Sequence, residues 1–135
     1  MSFLRKDAQL RATRALPAAA ATVNGAAIKL DVASRDQLLA EVQWLITAPA
    51  LAVGQLANGS TMKYSLITSP NSDGSSPTVI YKDLITQTGA GGAGAAAATS
   101  KVRLPADVTG YVGLQVINSA AADASAASAT LEAVF

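Results

Sequence analysis

The chain has 135 residues, a net charge of +1, no His and no Cys, and half of its residues are hydrophobic. The length suits one domain. The missing imidazole and thiol remove the usual proton shuttle, the Ser-His-Asp arrangement, disulfides and Cys-ligated zinc, and the near-neutral charge gives no general case for nucleic acid or membrane.

Ala supplies 30 of the 68 hydrophobic residues, while Val, Ile, Leu and Phe together make 32. That share is enough for a folded chain, with a core that relies on aliphatic packing and gains from self-association. The positive charge is concentrated at the start, where Arg5, Lys6, Arg11 and Arg14 are opposed only by Asp7. Residues 1–16 therefore read as an N-terminal arm, either solvated or docked on an acidic partner surface. It has room for a helical turn or two between Asp7 and Leu16, ended by Pro17. Arg11 and Arg14 interrupt any apolar run that would make it a secretory signal, and no stretch reaches the ~18 apolar residues of a membrane span.

Asn24-Gly25, inside Thr22–Leu30, is a hairpin signal, because both residues tolerate positive φ. Residues 38–47 alternate with period two. Leu38, Ala40, Val42, Trp44 and Ile46 face the core, against Leu39, Glu41, Gln43, Leu45 and Thr47. A helix competes there, because Ser34 and Gln37 could form a capping box; Val, Trp, Ile and Thr favour the strand. Asn58-Gly59 marks a second turn before a strand over Thr61–Thr68. Residues 69–77 form a loop by composition. A strand over Thr78–Lys82 continues through Leu84–Thr86 past a bulge. The Gly- and Ala-rich stretch 89–98 is a flexible or closely packed loop, since each glycine costs a helix about 1 kcal/mol. Strands follow over Ser100–Leu104, stopped by Pro105, over Gly110–Asn118, and from Ala129 to Phe135. Seven or eight short strands with turns between them and no long-period repeat specify an all-β, two-sheet antiparallel β-sandwich.

Little catalytic chemistry is on offer. Ser60 and Lys63 have Ser-x-x-Lys spacing, but a strand points such positions to opposite faces. Glu41 and Glu132 are the only glutamates. Asp31, Asp36, Asp73, Asp83, Asp107 and Asp123 sit mostly at turns, where Asp serves backbone hydrogen bonding. Asn71-Ser72-Asp73-Gly74 lacks the spaced ligands of a calcium loop. Gly89–Gly94 lacks the Lys-Ser/Thr of a phosphate loop. Asn58-Gly59-Ser60 matches a glycosylation acceptor that no secretion signal supports. Trp44, Tyr64, Tyr81 and Tyr111 fall on core-side positions, which favours packing over a stacking platform. No catalytic residue, metal ligand or cofactor site is expected.

The order of segments AATVNGAAIKLD, LLAEVQWLIT, a Ser/Asp-rich loop, KVRLPADVTGYVGLQVIN and a closing ATLEAVF resembles the small jelly-roll cement, or decoration, proteins of short-tailed bacteriophages. The likeness runs from about Ala15 to Phe135, and Lys101–Asn118 carries most of it. It implies a jelly roll over 17–135 behind the arm of 1–16. It also implies a structural, non-enzymatic role on the outer surface of an icosahedral capsid, assembled in the host cytoplasm. The expected partner is the coat protein, with the chain as a homodimer or a trimer. Phe3, Leu4, Arg5, Arg11 and Arg14 are the candidate capsid contacts. A carbohydrate-binding β-sandwich on the virion is the alternative, and it would need exposed aromatic residues.

Overall fold

The fold is all-β. A computed structural model describes residues 6–29, 43–105 and 110–134. Eight strands run in chain order: β1 (Lys6–Ala15), β2 (Thr22–Lys29), β3 (Gln43–Ala48), β4 (Thr61–Ser69), β5 (Thr78–Thr88), β6 (Ala98–Val102), β7 (Tyr111–Asn118) and β8 (Ser128–Val134). They form two four-stranded sheets with the orders β1-β8-β3-β6 and β2-β7-β4-β5, and every pairing is antiparallel. The pairings nest, with β1 on β8, β2 on β7, β3 on β6 and β4 on β5, as when one long hairpin wraps into two layers.

The two layers are held by an apolar seam. Trp44, Ile46 and Leu131 from the first sheet meet Tyr64, Leu66, Val112, Leu114 and Val116 from the second. Strand β3 shows how the sequence specifies its face: Trp44, Ile46 and Ala48 are buried, while Gln43, Leu45 and Thr47 are half-buried. The strand thus displaces the helix over the described part of 38–47, and 38–42 lie outside the described residues. Central strand β4 is buried at every position from Tyr64 to Ser69. Its outward Ile67 is buried but does not belong to the seam between the layers.

Several expectations need correction. No helical turn forms between Asp7 and Ala15; this part of the expected arm is edge strand β1, hydrogen-bonded to β8. Arg11 and Arg14 are tolerated because this edge strand leaves both exposed, where they also discourage pairing with another chain. Asn24-Gly25 makes no hairpin. Both residues lie within β2, opposite Gln115 and Leu114 of β7. The Gln115 amide donates to Asn24 Oδ1 at 2.9 Å. Strand β6 is Ala98–Val102, two residues earlier than Ser100–Leu104. Tyr111 is half-buried and outside the core cluster, whereas Tyr81, also half-buried, packs against the core as expected; the Tyr81 hydroxyl donates to the Arg103 carbonyl at 2.6 Å, tying β5 to the end of β6.

The bulge in β5 is where it was expected. The register against β4 slips between Tyr64 and Leu66, and Asp83 takes a positive φ of 53°. Its N–H donates to Ser65 Oγ at 2.9 Å, which anchors the bulge to the neighbouring strand. The glycine-rich stretch before β6 is closely packed at Gly89 and Gly94 and exposed between them. Gly94 has φ 75°, and a Cβ there would overlap the Leu51 carbonyl oxygen. Leu51 and Ala95 exchange both backbone hydrogen bonds at 2.9 Å, so this approach pins one loop to the other.

Candidate functional site

A cleft of about 190 Å³ opens where β1 of the first sheet abuts β2 of the second. It is lined by Ala12, Thr13 and Arg14 of β1, Gly25 of β2, Leu114 of β7, and Ser72 and Asp73 of the turn after β4. The alternation of β1 explains the first three. Ala12 and Arg14 share the inward face, opposite Leu131 and Ala129, and Thr13 points outward, opposite Thr130. Leu114 is the apolar floor, 3% exposed.

Arg14 is placed by what Gly25 lacks. A Cβ at Gly25 would stand 3.0 Å from Arg14 Cδ. The arginine stem therefore crosses from one sheet to the other over a glycine, covering apolar surface while its charged head stays in solvent. The Arg14 guanidinium has no ion-pair partner among the described residues.

Asp73 is placed by its own turn. Its Oδ1 accepts the Ser75 N–H at 2.9 Å. Bonds from the Ser75 backbone and side chain hold its carboxyl below the ordinary carboxylate value, so it is ionised at neutral pH. Gly74 N–H donates to the Asn71 carbonyl at 3.2 Å, and Ser69 Oγ accepts from the Asn71 N–H at 3.0 Å. This is the turn expected of Asn71–Gly74. The cleft thus has an aliphatic floor and one fixed charge of each sign at its rim.

The outward face of the first sheet is a second candidate surface. The register aligns Thr13, Thr130, Thr47 and Thr99 in one row across all four strands. The row beside it is Arg11, Glu132, Leu45 and Lys101. Thr13, Thr99, Arg11 and Lys101 are exposed there, Thr47, Thr130 and Leu45 are half-buried, and Glu132 is buried. A wider opening of about 380 Å³ lies between Thr68, Ser69, Pro70, Thr78 and Gly110, none of which is ionisable.

Of the five expected contact residues, Phe3, Leu4 and Arg5 lie outside the described residues. Arg11 and Arg14 are both exposed but are not brought together, because a spacing of three in a strand sends them to opposite faces. Arg11 joins the outward face, and Arg14 joins the cleft. Gly25 and Asp73, which complete the cleft, were read as turn residues; no local pattern could have joined them to Arg14.

The other chemistry-bearing residues are scattered. Ser60 closes the turn before β4, its N–H donating to the Ala57 carbonyl. Lys63 lies on the outward face of β4, 3.7 Å from Asp83 Oδ2. Asp123 accepts the Ser125 N–H at 2.8 Å in a turn. Glu132 is buried in the middle of β8. Asp31, Asp36, Glu41 and Asp107 lie outside the described residues. No three His, Cys, Asp or Glu side chains gather among the described residues. Trp44 and Tyr64 are fully buried. Comparison with known protein families, with characterised proteins and with solved structures finds no match to this chain.

Proposed function

We propose that this chain is a structural virion protein, a jelly roll that binds the outer surface of an icosahedral phage capsid and cements adjacent coat subunits. The observation that carries this reading is the nested pairing of eight antiparallel strands, β1 on β8 through β4 on β5. That pairing order supports the jelly roll that the sequence resemblance implies, and the resemblance points to a capsid.

The outward face of the first sheet supports docking on another protein. Its threonine row is neutral, and its neighbouring row exposes Arg11 and Lys101 with Glu132 buried between them. Such a face offers modest affinity per copy. Contact with two coat subunits compensates, because the second engagement is intramolecular. Self-association into a homodimer multiplies the contacts again. The carbohydrate-binding reading needs exposed aromatic residues; Trp44 and Tyr64 are buried in the core, and Tyr81 and Tyr111 are half-buried.

The test is co-sedimentation of the purified protein with undecorated mature heads, followed by a measurement of the heat resistance of the particles. Because Lys6–Ala15 forms an edge of the first sheet, charge substitution is a better probe than truncation. Arg11→Gln is exposed and should weaken co-pelleting without lowering the melting temperature. Heads that neither retain the protein nor gain heat resistance would refute the capsid role. Analytical ultracentrifugation over a concentration series tests the dimer.

A further inference from the structure

We propose that the cleft between β1 and β2 recognises the C-terminal residue of a partner polypeptide, one with an aliphatic side chain and a free carboxylate. The proposal deepens the docking role above and rests on it, and it names the chemistry that one contact takes.

The argument starts from the rim. Arg14 presents a guanidinium with no ion-pair partner among the described residues, held over Gly25 by its stem. A guanidinium matches a carboxylate in two parallel hydrogen bonds. Asp73 lines the same cleft and is kept ionised by Ser75. It offers an acceptor for an N–H. The floor of Ala12, Gly25 and Leu114 offers apolar surface and no hydrogen-bonding side chain. The volume of about 190 Å³ equals roughly six waters, a space on the scale of one amino-acid residue.

A C-terminal Val or Leu supplies a complement to each part. Its carboxylate meets Arg14, its backbone N–H meets Asp73, and its side chain displaces water from the floor. An internal Glu or Asp side chain meets only the first of these. It brings a second negative charge close to Asp73, gives that carboxylate no donor, and leaves the floor wet. Asp73 is held by its own turn and the Arg14 stem lies over Gly25 of the other sheet, so the ordering left for binding is that of the exposed guanidinium.

The experiment is a titration of the isotopically labelled full chain, followed by amide ¹⁵N–¹H spectra. The probes are acetyl-Gly-Ser-Val with a free carboxylate, the same peptide as its amide, and free L-valine. The free-acid peptide should shift the amides of Ala12, Arg14, Gly25, Asp73 and Leu114. The amide form should bind at least tenfold more weakly, and free valine, whose ammonium also meets the Asp73 carboxylate, should shift the same amides. Arg14→Gln should weaken the free-acid peptide about tenfold, with spectra elsewhere unchanged because Arg14 is exposed. Gly25→Ala, which displaces the arginine stem, should weaken it several-fold. Equal binding of acid and amide, or shifts confined to residues outside the cleft, would each overturn the proposal. Peptide binding without retention on heads would instead defeat the capsid reading and leave the cleft assignment standing. Retention on heads with no peptide binding would do the reverse.

Discussion

Replacing Gln87 with Leu removes the side chain that binds the second sheet to two loops. Gln87 is 4% exposed, on β5. Its Oε1 accepts the Tyr64 hydroxyl at 2.7 Å, and its Nε2 donates to the carbonyls of Pro49 at 2.8 Å and Ala96 at 2.9 Å. Leucine leaves all three partners without their bond. The phenol sits where water does not reach, so losing its acceptor costs about 2 kcal/mol. The two carbonyls are in surface loops and recover water in part, at about 0.5–1 kcal/mol each. Burying leucine in place of an amide returns about 1 kcal/mol. The net loss is about 2–3 kcal/mol, which for a domain of this size lowers the melting temperature by roughly 8–12 °C. Urea unfolding followed by fluorescence reads this directly, since Trp44 is the one tryptophan and is fully buried. A double-mutant cycle with Tyr64→Phe isolates the phenol, because the double variant leaves no hydroxyl to satisfy. The cycle should show a coupling of about 1 kcal/mol. A single-variant loss below about 0.5 kcal/mol, or strict additivity in the cycle, would refute the assignment of Gln87 as a tie.

Other perturbations test separate parts of the fold. Gly94→Ala places a Cβ against the Leu51 carbonyl at a φ of 75°, and should cost more than about 3 kcal/mol in the same urea assay. Ser76, exposed at a φ of 53°, is the opposite case; Ser76→Gly should stabilise the fold by up to about 1 kcal/mol in thermal melts. Burial pushes the Tyr64 phenol well above its ordinary value of 10.0. The folded state therefore keeps a proton that the unfolded chain gives up, so stability is intact below pH 10 and falls as pH rises past it. Tyr64→Phe should flatten that alkaline slope in denaturation curves at pH 9 to 11, and an unchanged slope would assign it to other groups.

The strands legible in the sequence are those whose alternation separates apolar from polar cleanly. Trp44 and Ile46 against Gln43 and Thr47 required no tertiary knowledge. The failures share one physical cause, which is that the deciding neighbour is remote. Asn24-Gly25 has turn chemistry, but the partner of Asn24 is Gln115, and the space a Cβ would take at Gly25 is held by Arg14. Edge strand β1 carries Arg11 and Arg14, a spacing that suits an exposed helix face as well as it suits two faces of a strand. No local pattern marks Gln87 for burial, which the Tyr64 hydroxyl and the loop carbonyls of Pro49 and Ala96 explain. The cleft was legible only as Arg14, because Asp73 reaches it through a turn nearly sixty residues away.

The nested topology gives the cleft a thermodynamic consequence. Wrapping the chain sends β1 and β2 to different sheets while a short link joins them, so their meeting line is an edge of the sandwich. Arg14 belongs to the first sheet; Gly25, Leu114 and the turn carrying Asp73 belong to the second or extend from it. A ligand seated there touches both layers at once, and unfolding that separates them destroys its site. Binding must then raise stability by linkage, with a peptide at ten times its Kd adding about 1.4 kcal/mol and lifting the melting temperature by roughly 4–7 °C. Arg14→Gln, binding about tenfold more weakly, should cut that lift to about 0.4 kcal/mol at the same peptide concentration while leaving the melting temperature of the free protein in place. A peptide that shifts cleft amides yet leaves the melting temperature unmoved would mean that it touches the rim alone, on one sheet, and that the two layers do not share the site.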